Sequence, residues 1–242
     1  MFDAKRLLDQ FLGGMPGNAG QPGDPGRQGG GILDTMQGYA RSNPMLTGGL
    51  AGGLAGILLG RGVGKDLIKY GGMAVIGGLA YKAYRDWQQG QAGATAPAGD
   101  AAVLPPPADS PFAVPASAGG QAKLAETLVV AMIAAAKADG HIDAEERGRI
   151  YERLEAGGLQ PEEIAFLQAE IAKPVDMERI AWGASSKEEA VEIYAASVMA
   201  IRADTPAERD WLDKLAHRLG LAPDLAASIE KTIAGATGAA AG

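Results

Sequence analysis

The chain has 242 residues, no cysteine, 36 glycines, 14 prolines and a formal net charge of −7. The missing thiols exclude disulfides, Cys-ligated zinc, iron–sulfur clusters and thiol nucleophiles together, and two histidines, His141 and His217, argue against a multi-His metal centre. Composition divides the chain: residues 1–99 hold 25 of the glycines, residues 1–98 carry a net +3, and residues 121–242 carry a net −8. An acidic second half repels phosphate backbones, so nucleic-acid binding is not expected of it.

Met1, Ala4, Leu7, Leu8, Phe11 and Leu12 recur at helical spacing opposite Asp3, Lys5, Arg6, Asp9 and Gln10, which predicts a short amphipathic helix over residues 1–12. No apolar core with a cleavage site follows, so this is not a secretory signal. Residues 13–31, with nine glycines and three prolines, open a spacer to residue 44 that has too little apolar surface to offset its ordering entropy.

From Met45 the pattern changes. Gly48, Gly52, Gly56 and Gly60 fall four apart, and so do Leu46, Leu50, Leu54 and Leu58, giving one bare and one branched stripe on a helix. Each interior glycine costs a helix in water about 1 kcal/mol relative to alanine, whereas in lipid small residues every fourth place let a second helix approach closely. A second block, Leu67 to Tyr81, carries Gly71, Gly72, Gly77 and Gly78 and ends in Lys82, Tyr84, Arg85 and Trp87, the pattern of an interfacial anchor. Met45 to Gly60 is 16 residues, roughly 24 Å of helix against a hydrocarbon core of about 30 Å. Three arrangements of residues 45–87 therefore stay open: a glycine-zipper membrane hairpin, one span beside an interfacial block, or a soluble hairpin that self-associates. Residues 88–120, with Pro97, Pro105, Pro106, Pro107, Pro111 and Pro115, read as a semi-extended linker.

The remainder, 121–236, predicts an all-α bundle of about seven helices, followed by a tail over 237–242. Leu124, Leu128, Val129, Met132 and Ile133 make one face. Asp143, Glu145 and Glu146 start a second helix that Gly157 and Gly158 stop, and Pro161 starts a third that Pro174 ends. A short segment from Asp176 to Trp182 precedes Ser185, Ser186, Glu188 and Glu189, a capping-box start; Thr205 to Glu208 repeats that signal, Gly220 stops the helix, and Pro223 opens the last one. Glu162, Glu163, Glu188 and Glu189 are expected to be solvated helix-start acids. Ala138-Asp139 matches Ala203-Asp204 at an offset of 65, and Glu146, Ile150, Gly158-Leu159 and Pro161 match Glu208, Leu212, Gly220-Leu221 and Pro223 at 62. A helix–acidic loop–helix–helix unit thus occurs twice.

The acidic loops are the candidate site. Residues 135–146 align with a calcium loop, but Ala135 and Lys137 stand where its first carboxylates belong, so an ordinary EF-hand is argued against. Asp139, Asp143 and Glu146 of one loop with Asp204 and Glu208 of the other form a candidate divalent-cation set; the alternative is that Asp143 and Thr205 cap helices and the other acids complement their dipoles. No Ser/His/Asp set, phosphate loop or dinucleotide fingerprint can be assembled.

The order of a "LLDQFLG" start, a glycine-rich apolar block and "AKLAETLVVAMIAAAKADGHIDAEER" resembles the YebE-like (DUF533) family of bacterial inner-membrane proteins. The acidic domain resembles the TerB (tellurite-resistance) helical fold through residues 137–143 and Ala203, Asp204 and Glu208. The resemblance implies an all-helical module with acidic positions proposed to bind metal, a link to membrane stress complexes, a cytoplasmic acidic domain and no enzymatic activity. The expectation is a membrane-tethered, non-enzymatic binding module. Its glycine-rich helices meet lipid and one another, its linker gives reach, and its acidic domain faces a protein partner of a membrane complex; the alternative is a divalent-metal sensor.

Overall fold

The structure, a computed structural model, describes residues 3–13, 72–90, 105–138, 148, 159–201, 203 and 205–236. These form eight helices and, among the described residues, no strand: α1 (Ala4–Gly13), α2 (Gly72–Gln88), α3 (Ala118–Ala135), α4 (Pro161–Ala172), α5 (Met177–Gly183), α6 (Lys187–Ala200), α7 (Pro206–Arg218) and α8 (Pro223–Ala236). The all-α class is the one the sequence predicts. Of the expected helix from Asp143 to Gly157 only Gly148 is described, and it is helical; residues 14–44 of the spacer and the tail over 237–242 lie outside the described residues.

The helix starts follow local chemistry. Thr205 and Glu208 form a reciprocal box at α7: the Glu208 amide donates to Thr205 Oγ1 at 3.2 Å and the Thr205 amide donates to Glu208 Oε2 at 3.0 Å. At α6 the Glu189 amide donates to Ser186 Oγ at 3.1 Å, and its carboxylate accepts from the Ser185 amide at 2.6 Å. Asp176 caps α5 by accepting from the Arg179 amide at 3.0 Å. Caps of this kind contribute about 1 kcal/mol each. Gly220, at φ 66, takes the left-handed turn that closes α7.

α3 and α6 make the most extensive helix contact, with α4 and α5 laid on α3 and α7 and α8 laid on α6. α6 is buried without interruption from Ala190 to Ser197, so it runs through the interior with no solvent face. Leu128, Val129 and Met132 of α3 meet this core, as do Leu212 and Leu215 of α7 and Leu225 and Ile229 of α8.

The compositional divide is not a packing divide. α1 packs on α3 and α2, and α2 packs on α8, α1 and α6. Ala4, Leu7 and Leu8 are buried, and Val75, Ile76 and Leu79 are at most 2% exposed. Burying each of those last three contributes about 1.5–3 kcal/mol, which outweighs about 1 kcal/mol for each interior glycine, Gly77 and Gly78. The second block of the expected hairpin therefore spends its apolar face on protein. Among the described residues no helix is long and apolar enough to cross a membrane. Part of the expected linker is docked too: Phe112 is buried, with its ring centroid 5.9 Å from Tyr81 and 5.5 Å from Tyr84.

Candidate functional site

The residues with most unusual chemistry meet where α2 and the 105–117 segment cross α6 and α8. Gly77 supplies a place with no side chain: a Cβ there would stand 2.8 Å from the Phe112 carbonyl oxygen and 3.0 Å from Glu192 Oε1. Glu192 is 4% exposed, and the charges that act on it, Glu189 and Glu188, are of its own sign. Burial first, then the charges of Glu189 and Glu188, push its carboxyl up to about 8, so at neutral pH it is held mostly as the neutral acid.

Around it, the aromatic and basic end of α2 is tied to the bundle. Trp87 Nε1 donates to Asp224 Oδ2 at 2.8 Å, and the Lys187 ammonium lies 5.1 Å from the Trp87 ring centroid and 5.5 Å from that of Tyr84. Ser228 Oγ donates to the Ala83 carbonyl at 3.0 Å. Trp87, expected as an interfacial anchor, is thus a half-buried contact with α6 and α8.

Two further polar clusters are structural. Burial pushes the Glu170 carboxyl up, but hydrogen bonds from Arg179 and Lys173 more than offset this and hold it below the usual carboxylate range. Lys137 donates to the Ile171 and Lys173 carbonyls at the end of α4, and burial lowers its ammonium against the opposing charge of Glu170. The cavity these groups line is about 20 Å³, room for one water. On the other side Tyr194 donates to Glu230 at 2.7 Å and Arg209 pairs with the same carboxylate at 2.5 Å, joining α6, α7 and α8. Burial and that carboxylate push the Tyr194 hydroxyl up.

A family model described as "Protein of unknown function (DUF533)" matches residues 44–233. The chain belongs to the DUF533 family. An "Uncharacterized protein in ampR 5'region" of Yersinia enterocolitica is 33% identical over 108 residues, 45% of this chain and 78% of that protein. No solved structure matches significantly. The DUF533 match runs through α2 and into α8, helices that share one core.

Of the candidate cation ligands, Asp139, Asp143, Glu146 and Asp204 lie outside the described residues. Glu208 is described, and its Oε2 is engaged by the Thr205 amide and hydroxyl. Among the described residues no group of three or more His, Asp or Glu side chains is placed to hold a metal. Gly48, Gly52, Gly56, Gly60, Leu50, Leu54 and Leu58 also lie outside them.

One expectation is corrected. Glu163 is not a solvated acid: it is 2% exposed, accepts from the Gln160 amide at 2.7 Å and faces Arg6 of α1 at 3.5 Å. Helix-start acids are solvated only where nothing covers the helix end, and this one is buried with the Arg6 guanidinium of α1 against it. Sequence reasoning also passed over Glu192. The available signal was its setting: it is the lone charge in Ala190–Ile201, a run too apolar all round to leave a wet face.

Proposed function

We propose that this DUF533 protein is a non-enzymatic binding module of the bacterial inner membrane. In this reading the stripes of Gly48, Gly52, Gly56 and Gly60 and of Leu50, Leu54 and Leu58 meet lipid or a second copy of the chain, beside an acidic helical body on the cytoplasmic side that receives a protein of a membrane complex. The observation that carries this arrangement is the seam between α1 and α2. The Gly72 amide donates to Asp9 Oδ1 at 2.8 Å, and a Cβ at Gly72 would lie 2.5 Å from the Leu8 carbonyl oxygen. The described segments on either side of residues 14–71 therefore meet at one place on the body. Flotation of the full chain with vesicles of phosphatidylethanolamine and phosphatidylglycerol tests it. The chain should rise with the vesicles, and Leu50→Asn with Leu54→Asn and Leu58→Asn should stay below; a parent chain that stays below in plain buffer removes the reading.

A divalent-cation sensor is the second reading, built on the acidic loops that resemble the TerB fold. Ala203, immediately before Asp204, has φ 52, a left-handed conformation rare for a residue with a Cβ, and its carbonyl accepts from Arg209 at 3.5 Å. Such a conformation costs about 1–3 kcal/mol and persists where the surroundings demand it, and at Ala203 it is the described feature that supports this reading. Calorimetry of the full chain with calcium, magnesium and manganese should give heat that Asp139→Asn and Asp204→Asn abolish. No heat from any of the three ends this reading.

A further inference from the structure

A largely buried carboxyl with no counter-charge, set against a neighbouring helix, makes that helix's attachment conditional on a proton. Glu192 meets this description at the α2 seam: it is 4% exposed, and its Oε1 lies 3.0 Å from where a Cβ on Gly77 would stand, a place that the Phe112 carbonyl and the Pro106 ring also border. Every side that faces it is acidic, neutral or already engaged. On its own helix the nearby charges are Glu188 and Glu189, and Lys187 is spent on the rings of Tyr84 and Trp87. On α2, Lys82 pairs with Asp86 and Arg85 lies over Tyr81. On α8, Asp224 takes the Trp87 N–H, Glu230 is held by Tyr194 and by Arg209 of α7, and Lys231 is exposed. On α3, Lys123 bonds Ser185 and Glu126 acts on Arg179; on the 105–117 segment Asp109 is exposed. α1 packs on α2 and α3, with Asp9 bonded to Lys5 and to the Gly72 amide and Arg6 facing Glu163.

We propose that Glu192 is a proton-operated latch: as the neutral acid it lets α2 and the 105–117 segment stay docked on α6 and α8, and loss of its proton to solvent releases α2 and bares the apolar face of Val75, Ile76 and Leu79. An ionised carboxylate in that slot is largely buried beside the like charges of Glu189 and Glu188, which a single-proton linkage converts into weaker docking at higher pH. The latch is a property of the bundle and does not depend on what residues 45–60 bind.

Hydrogen exchange of the full chain, corrected for intrinsic rates, tests it through the amides of α2 against those of α7. In the parent chain the protection of α2 should fall about tenfold per pH unit between pH 5 and pH 8, the slope of one linked proton, while α7 is unchanged. Glu192→Gln keeps the shape without the charge and should hold α2 protection level over the same range. Glu188→Gln with Glu189→Gln removes the neighbouring charges and should move the loss to a lower slope end, beginning to level off below pH 8. Gly77→Ala, which forces a Cβ against the Phe112 carbonyl, should leave α2 poorly protected at every pH and so calibrates the undocked state. A flat parent profile, or a Glu192→Gln profile that falls as the parent does, overturns the proposal.

Discussion

α7 and α2 are both helices that bury an apolar face in the same core, but they are specified differently. α7 carries its instructions with it: Thr205 and Glu208 cap it, Pro206 sits where no donor is needed, Trp211, Leu212 and Leu215 mark its inner face, and Gly220 turns it off. α2 carries an apolar surface and glycines, and its docking is defined by atoms far away in the chain, the Leu8 carbonyl over Gly72 and the Phe112 carbonyl over Gly77. Glycines at helical spacing state only that something comes close. Lipid-embedded partners and a folded protein core satisfy that statement equally well, so the same local signal serves two destinations.

Removing the front of the chain should break this comparison most severely. A chain starting at residue 105 leaves the surfaces of α3, α6 and α8 that receive α1 and α2 uncovered, and thermal unfolding by circular dichroism should show a larger loss than any single substitution gives. Unfolding at the full chain's temperature would mean that α2 is dispensable to the core. Single truncations sharpen the point: Leu79→Ala in α2 and Leu212→Ala in α7, both at most 1% exposed, should each cost about 2–5 kcal/mol in denaturant titrations. A helix turned to lipid would leave the first of these near zero in detergent-free buffer.

The Glu192 carboxyl gives the next effect. Its folded value, about 8, stands above its ordinary 4.5, so its neutral form is the one the fold accepts. Stability is fully present below about pH 4.5 and is lost at up to about 1.4 kcal/mol per pH unit as pH climbs toward 8. Glu192→Gln should flatten that slope and be the more stable chain at pH 8; denaturant midpoints at pH 5, 6.5 and 8 read it. Smaller again, Thr205→Ala should cost about 1 kcal/mol by removing the α7 cap, seen as a lower midpoint with an unchanged denaturant slope. Smallest, Trp182→Ala should change stability by less than about 0.5 kcal/mol, since Trp182 is 80% exposed, whereas Trp87→Ala, which strips a half-buried ring and its bond to Asp224, should cost clearly more.

Much of the bundle is legible from the residues alone. The starts of α4, α6, α7 and α8 fall where Pro161, Ser186, Thr205 and Pro223 predict. The start of α3 was less visible, since Ser117 caps it from inside a stretch whose prolines read as linker. Glu163 and Glu192 were misjudged or missed for one reason: a charge near a helix start looks the same in sequence whether water or another helix lies over it. The acidic-loop set was legible as a pattern, and its one described member, Glu208, serves a cap.

What the sequence determined by itself is where helices begin and end, because caps, prolines and left-handed glycines act on backbone groups within a few residues of themselves. What only the tertiary structure decided is where the glycine-rich helix goes and which carboxyl it seals in. A face without side chains specifies a distance and not a partner, and a buried charge is defined by what covers it, which the chain brings from more than a hundred residues away.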